Sequence, residues 1–158
     1  MLTLLLVALL GAQEPPKKPI ETRHLAITTT ASAETVAPGK KASLFVDVAP
    51  KPTMHVYSPG QEGYIGITLT LQANDAIVAA KAKYPAGEKF LMPALNETQL
   101  VYAKPFRISQ DVTVKAGAKG DEPIVIKGTL RYQACDDKIC YLPQNVPVEW
   151  TLRRATPQ

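Results

Sequence analysis

The chain has 158 residues, of which 46% are hydrophobic and 20% are charged. This length supports one domain with a proper core rather than two, and the 14 prolines, against 9 glycines, argue against a helical bundle. The net charge of +4 comes from scattered lysines and arginines without a long basic run, which argues against nucleic-acid binding.

The N-terminal segment is apolar from Leu2 to Ala12, and a polar, proline-rich stretch follows over residues 13–22. The apolar run is too short to span a bilayer as a helix, but it fits the hydrophobic region of a secretory signal peptide. We therefore predict that residues 1–12 are a signal peptide or an N-terminal anchor and that a linker follows. The alternative is a buried N-terminal strand or helix. Export would place the chain in the periplasm or another extracytoplasmic compartment, where disulfides can form.

From residue 23 onward, apolar and polar residues alternate with the period of two that is typical of strands. Turn signals at residues 37–41, 58–63, 85–89 and 116–123 separate the alternating segments. The predicted strands are residues 24–30, 42–48, 54–58, 65–71, 77–83, 99–102, 106–114, 124–134 and 146–152. About nine short strands within residues 23–155 predict an all-β domain, an immunoglobulin-like antiparallel β-sandwich.

The strand before the cysteines indicates where they lie. The even-numbered residues of 124–134 form the apolar set, so they are predicted to face the core. If the alternation continues, Cys135 lies on the polar face. The returning strand is predicted to face inward through Val146, Val148, Trp150 and Leu152. The cysteines would then lie at one end of the sandwich, exposed and away from its core.

Cys135 and Cys140 are the only two cysteines in the chain. Two cysteines in an exported domain commonly form an inert structural disulfide. A bridge across so short a loop, however, removes chain entropy worth only about 2 kcal/mol in the loop-closure model. Asp136 and Asp137 disfavour a thiolate at Cys135, and Lys138 only partly offsets their charge, which indicates a pair activated by its partner. From these residues alone, a structural bridge and a redox-active pair both remain open.

A metal site is a third interpretation of the same residues. Copper(I) favours soft ligands, which here are the two cysteines with His24, His55, Met54 and Met92. A zinc site would need a second pair of cysteines or histidines at ligand spacing, and the sequence has none. We therefore predict neither metal nor cofactor, and we interpret both histidines as ordinary strand residues.

Two stretches of the sequence resemble a known family. Residues 132–150, YQACDDKICYLPQNVPVEW, are similar to the cysteine hairpin of the N-terminal, periplasmic domain of the thiol:disulfide interchange protein DsbD. Residues 55–71, HVYSPGQEGYIGITLTL, resemble the strand and turn on which that domain carries aromatic residues beside its cysteines. The two matches occur in the family's order, and the strand pattern between them fits.

The resemblance implies an immunoglobulin-like domain that receives electrons from a membrane-embedded partner through a thioredoxin-like domain. It would pass them to oxidised periplasmic thiol proteins, such as disulfide isomerases and cytochrome c maturation factors. Carried over by position, Cys140 would form the mixed disulfide with the partner, and Cys135 would resolve it. Because the sequence ends at Gln158 without the family's membrane and C-terminal domains, the electron carrier is expected to act in trans.

The resemblance also implies residues around the cysteine pair. Tyr57 would be a neighbour of the site, with His55 in place of another aromatic residue. A loop that caps the cysteines in the family would fall near residues 90–98, where Phe90, Leu91 and Met92 are unusually apolar. The alternative for this segment is a plain surface connection, since it lacks the family's characteristic aromatic sequence. The cysteine spacing is also one residue shorter than in the best-known members.

These observations together predict an exported thiol-disulfide exchange domain that shuttles electrons through Cys135 and Cys140. Its predicted partners are thioredoxin-like redox proteins and a membrane electron carrier. The alternative is an immunoglobulin-like binding or scaffold module with an inert disulfide.

Overall fold

Strands account for all the regular secondary structure that the structure describes. The computed structural model describes residues 18–92, 96–117 and 122–155, and this part of the chain contains thirteen strands and no helix. It therefore offers no helix that could cross a membrane. The strands are β1 (Ile20–Glu21), β2 (Leu25–Ala31), β3 (Thr35–Val36), β4 (Lys41–Pro50), β5 (His55–Tyr57), β6 (Thr68–Leu71), β7 (Ile77–Ala79), β8 (Glu88–Met92), β9 (Glu97–Tyr102), β10 (Phe106–Val114), β11 (Ile124–Tyr132), β12 (Ala134–Cys135) and β13 (Gln144–Arg154).

The first sheet of the sandwich has the strand order β1-β2-β4-β10-β7. Its central ladder pairs β4 with β10 in antiparallel register, with Val46 opposite Ile108. The predicted alternation in β4 is confirmed, because Leu44, Val46 and Val48 are buried while their neighbours are partly exposed.

The second sheet has the order β3-β13-β11-β6 and contains the long hairpin of β11 and β13. This hairpin runs from Ile124 opposite Leu152 to Tyr132 opposite Gln144. The inward set predicted for β13 is confirmed, since Val146, Val148, Trp150 and Leu152 are all buried. An immunoglobulin-like β-sandwich is therefore the fold, as the alternation predicted, and its sheets are antiparallel except where the short edge strand β3 pairs in parallel with β13.

Two hydrogen bonds join the two sheets across the core. Trp150 Nε1 donates to the carbonyl oxygen of Phe45 at 3.1 Å, and the Thr29 hydroxyl donates to that of Glu149 at 2.9 Å. The main core between the sheets is aliphatic and aromatic. Its fully buried members include Leu25, Ile27, Leu44, Ile67, Ile108, Ile126, Leu130, Tyr132 and Leu152.

A third, smaller sheet has the order β12-β5-β9-β8. Its pairings place Cys135 opposite His55, and Phe90 opposite Gln99. It has a hydrophobic cluster of its own, formed by buried Tyr57, Val101 and Cys135 with partly buried Tyr64, Phe90 and Met92 packed against them. We call this set the sulfur cluster.

The prediction that Cys135 lies on the polar face is wrong: only 1% of this residue is exposed. Strand β11 ends at Tyr132, and the chain then leaves the ladder with β13 and pairs with β5 through β12. Gln133 lies between the two strands, and Ala134 and Cys135 after it are both buried. The alternation therefore ends at the switch of sheets, and parity counted along one straight strand places Cys135 incorrectly.

Some predicted element bounds also differ from the structure. Strand β8 begins at Glu88, inside the predicted turn at residues 85–89. The sequence did not predict this strand, because its apolar residues are consecutive and have no period of two. Ile20 and Glu21, at the end of the predicted linker, pair with β2. The predicted signal peptide or anchor, and residues 13–17 of the linker, lie outside the described residues.

Candidate functional site

A tight turn brings the two cysteines together. Cys135 ends β12, residues 136–139 form the turn, and Cys140 returns opposite Cys135 as an isolated antiparallel bridge. The amide of Asp136 donates to the carbonyl oxygen of Ile139 at 2.9 Å, and that of Tyr141 donates to Ala134 at 2.8 Å. Cys135 and Cys140 form a disulfide across this turn.

The side chain of Asp136 organises the turn. Its Oδ1 accepts hydrogen bonds from the amides of Lys138 and Ile139, both at 2.8 Å, and its Oδ2 accepts one from the Tyr141 hydroxyl. These bonds favour the ionised form and lower the pKa of Asp136 from 3.8 to about 2. The sequence indicated only a negative charge beside Cys135. The role of Asp136 in capping the turn was also predictable from the sequence, because aspartate side chains often accept hydrogen bonds from amides two residues further on.

The two cysteines differ in exposure. Cys135 is buried in the sulfur cluster, whereas Cys140 is exposed at the surface. The side chain of Gln133 helps to hold the chain next to Cys140 in place, since its Nε2 donates to the Tyr141 carbonyl oxygen at 3.0 Å. Cys140 is therefore the more accessible of the two cysteines.

Tyr57 lies at the centre of the sulfur cluster and is fully buried. Its hydroxyl oxygen is 3.6 Å from Cys135 Sγ, from Cys140 Sγ and from Met92 Sδ. Neither sulfur of a disulfide carries a hydrogen, so the Tyr57 hydroxyl is the donor in these contacts. Burial raises the pKa of Tyr57 above its ordinary value of 10.0, with smaller contributions from Tyr64 and Glu97.

His55 lies across the β5–β12 ladder from Cys135 and is buried. Its ring stacks against Phe90 with the centroids 4.5 Å apart, and it meets the edge of Tyr57 at 6.1 Å. Burial lowers the pKa of His55 below its ordinary value of 6.5, while Asp137 and Asp136 act in the opposite direction. Within the part of the chain that the structure describes, Nε2 of His55 has no hydrogen-bond partner. The neutral ring of His55 therefore packs against Tyr57 and Phe90 as an aromatic side chain would.

Strand β8 covers the sulfur cluster from one side. Phe90 and Met92 pack against the cluster, whereas Leu91 between them is 57% exposed. The predicted capping loop at residues 90–98 thus includes the end of β8 and the beginning of β9, which form an antiparallel hairpin. Residues 93–95 of that loop lie outside the described residues.

The structure brings most of the predicted site residues together and separates others. Those that meet at the sulfurs are Cys135, Cys140, His55, Tyr57, Phe90 and Met92. Leu91 is turned to solvent, and His24 packs instead against the ring of Tyr141 at 4.6 Å. Across residues 18–92, 96–117 and 122–155, no group of three His, Cys, Asp or Glu side chains is placed to hold a metal.

Several residues of the site were not predicted. Tyr64 stacks on Tyr57 with ring centroids 4.4 Å apart, and its hydroxyl donates to Glu97 at 2.9 Å. Val101 of β9 is buried in the same cluster. The pairing of β5 with β9 brings Val101 near the cysteines, and the connection after β5 brings Tyr64, which lies within the stretch 55–71 that resembles the family.

Comparison with protein families identifies the origin of this arrangement. Residues 23–150 match the sequence model of the family described as thiol:disulfide interchange protein DsbD, N-terminal. The chain belongs to the DsbD N-terminal domain family. The resemblance predicted from the cysteine hairpin and the tyrosine strand is therefore confirmed.

Solved structures with this architecture include the N-terminal periplasmic domain of ScsB from Proteus mirabilis. It has 15% sequence identity and a TM-score of 0.57, over 83% of this chain and 47% of the ScsB chain. The DsbD-type chain thus spans about half of the ScsB chain. At this identity the likeness shows the fold alone. The GAE domain of yeast GGA1 also matches, with 10% identity and a TM-score of 0.46 over 86% of this chain and 98% of that one.

A comparison with curated protein sequences gives no match. Membership of the DsbD N-terminal domain family makes this chain a thiol-disulfide interchange domain with a Cys135–Cys140 disulfide. The matched ScsB domain is described as a periplasmic domain.

Proposed function

We propose that the chain is an exported exchange domain that shuttles electrons through Cys135 and Cys140, as disulfide and dithiol in turn. One observation carries this proposal: an exposed cysteine, Cys140, is bonded to a buried cysteine, Cys135. Attack by a partner is thereby directed to one sulfur, which a bridge that only fastens the fold does not require.

The exposures fit separate roles for the cysteines. A partner thiolate attacks Cys140 Sγ, the Cys135–Cys140 bond breaks, and its electron pair leaves on Cys135 Sγ. The mixed disulfide resolves in this direction when the partner's second thiolate attacks the partner's own sulfur and releases Cys140 as a thiolate. The domain is then reduced by two electrons and the partner is oxidised. In the opposite direction, the Cys135 thiolate attacks Cys140 Sγ of a mixed disulfide and releases a reduced partner.

The position of the disulfide also supports exchange over a fastening role. It closes a loop with only four residues between the cysteines, which is worth about 2 kcal/mol in the loop-closure model. The main core between the two large sheets is separate from the sulfur cluster. The sandwich therefore does not depend on this bond for its packing.

We further propose that the domain acts in the periplasm after export by its N-terminal segment, residues 1–12. Its partners would be thioredoxin-like proteins, whose exposed thiolates suit the exposed Cys140. A membrane electron carrier acting in trans would be the donor, and oxidised periplasmic thiol proteins would be the acceptors. The family membership and the apolar N-terminal sequence support this placement.

The reduction potential tests the proposal. The purified domain is equilibrated in dithiothreitol or glutathione buffers, and the oxidised fraction is measured by alkylation and mass spectrometry. We expect a midpoint above about −300 mV, the value below which structural bridges typically lie. A midpoint well below it would favour an immunoglobulin-like binding or scaffold module with an inert disulfide.

Trapping experiments test the assignment of roles. Cys135→Ser leaves Cys140 free to capture a thioredoxin-like partner as a stable mixed disulfide. The matched variant is Cys140→Ser, which leaves only the buried sulfur and should capture far less. Capture mainly through Cys135 would reverse the two roles.

A further inference from the structure

The hydroxyl of Tyr57 faces three sulfur atoms, two of the sulfur cluster and that of Cys140 beside it. It lies 3.6 Å from Cys135 Sγ, Cys140 Sγ and Met92 Sδ, and it has one hydrogen to donate among them. The side chain is fully buried, so this hydrogen is not shared with bulk water. A tyrosine that only filled space would not need its hydroxyl at this point.

We propose that Tyr57 donates its hydrogen bond to the Cys135 thiolate released when a partner attacks Cys140, and that Met92 accepts that hydrogen in the oxidised state. This inference rests on the proposed function and adds two positioning residues to it. In the oxidised protein, the Met92 thioether competes with two neutral disulfide sulfurs for the hydrogen. Once the disulfide opens, the electron pair on Cys135 makes its sulfur the strongest acceptor of the three.

The environment of Cys135 makes such a donor necessary. Its sulfur is buried among apolar and aromatic side chains, where an unpaired charge is costly. The next residue, Asp136, is an ionised carboxylate fixed in the turn, which adds like-charge repulsion. Tyr57 offers a hydrogen bond without adding a charge. Because burial raises the pKa of Tyr57, the phenol keeps its proton and acts as a donor of a hydrogen bond only.

The role assigned to Met92 gives the proposal a second, opposite consequence. Removing the Tyr57 hydroxyl destabilises the leaving thiolate, whereas removing the Met92 sulfur frees the hydroxyl for the cysteines. Tyr57→Phe is therefore expected to slow disulfide opening and Met92→Leu to speed it. Loss of packing alone would change both rates in the same direction.

The experiment measures the rate at which dithiothreitol reduces the disulfide of the full chain at fixed pH. Tyr57→Phe should lower the rate about tenfold, the size expected for a hydrogen bond to a charged group. Met92→Leu should raise it severalfold. The control is Tyr102→Phe, which removes a buried tyrosine hydroxyl of the main core, outside the sulfur cluster, that donates to the carbonyl oxygen of Pro85 at 2.7 Å, and it should leave the rate unchanged.

A second measurement isolates the thiolate itself. In a Cys140→Ser background, the Cβ chemical shift of Cys135 is followed by NMR as the pH is raised. Adding Tyr57→Phe should raise the pKa of Cys135 by about one pH unit, in keeping with the tenfold rate effect. An unchanged pKa together with an unchanged reduction rate, in a folded protein with an intact disulfide, would overturn the role of Tyr57. Slower reduction in Met92→Leu would overturn the role of Met92.

Failure of this inference is distinguishable from failure of the proposed function. The ratio of variant to wild-type rates tests Tyr57 and Met92, whatever the potential of the bond. The wild-type potential tests whether the disulfide is redox-active, whatever the ratio of rates.

Discussion

Tyr141 donates its hydroxyl hydrogen to Asp136 Oδ2 at 2.7 Å, across the turn between the two cysteines. The same carboxylate accepts the amide hydrogens of Lys138 and Ile139 through Oδ1. The turn that carries the disulfide is thus organised around one charged group. Its shape depends on the ionisation of Asp136.

This dependence predicts a transition in the turn at low pH. The folded pKa of Asp136, about 2, is below its ordinary value of 3.8. Ionisation of Asp136 therefore stabilises the turn fully at pH values above 3.8. That stability is lost as the pH falls from about 4 to about 2. The amide shifts of Lys138 and Ile139 in NMR spectra should titrate with a midpoint near 2. Asp136→Asn should abolish the titration, and the matched Asp137→Asn should retain it.

Removing the cover over the sulfur cluster should expose the disulfide. Phe90 stacks on His55 and packs against the cluster, so Phe90→Ala is expected to speed reduction by a small thiol severalfold. It should also lower the free energy of unfolding by about 1–2 kcal/mol, less than truncation of a fully buried phenylalanine costs. Leu91→Ala is the matched control, because that side chain is mostly exposed and should change neither quantity. Equal effects of the two variants would contradict shielding by Phe90.

The two thiols of the reduced protein should differ in accessibility. Brief treatment with iodoacetamide is expected to label Cys140 first, because Cys135 is 1% exposed. Peptide mapping by mass spectrometry measures the two labelled fractions over time. In Phe90→Ala the difference between the labelled fractions of Cys140 and Cys135 should become smaller. Preferential labelling of Cys135 in the wild-type protein would contradict the observed difference in burial.

The two histidines should make stability depend on pH below their ordinary pKa of 6.5. Burial is the main cause that lowers the pKa of both His24 and His55 below 6.5; Arg23 and Lys51 act in the same direction on His24. An unfolded chain then binds more protons than the folded one below pH 6.5, so stability is present above that pH and falls as the solution is acidified. Urea unfolding at several pH values measures this slope, which should shrink in the double variant His24→Phe, His55→Phe. An unchanged slope would contradict the lowered pKa values.

The sequence was sufficient to predict the sandwich, because long strands such as β4 and β13 keep one apolar face. It was insufficient at the third sheet. There β5 and β9 overlap predicted strands, but β12 has only two residues, which are too few to show a period of two. Strand β8 has a consecutive apolar run and was expected as part of a loop. Short strands buried or paired at an edge are determined by tertiary contacts more than by local pattern.

The site was predictable where the chain brings residues together locally, and otherwise only through resemblance. Cys135 and Cys140 are near neighbours in sequence, but Tyr57 is 78 residues from Cys135, and their contact depends on β12 crossing to β5. The burial of Cys135 also follows from that crossing. The exposure of Leu91 was not predictable from the sequence either, since an apolar residue in an apolar run can still face solvent.

The separation between the sulfur cluster and the main core has a consequence for how the protein can vary. The disulfide lies in a small sheet at one end, and the residues packed around it are not those that fill the space between the two large sheets. Substitutions around Tyr57 can therefore change how readily the pair accepts electrons while the contacts between the two large sheets stay the same, and any stability that they cost, as in Phe90→Ala, is lost from the small sheet. In this domain, the residues that set the redox chemistry and those that join the two large sheets are thus different sets, and each set can vary while the other stays unchanged.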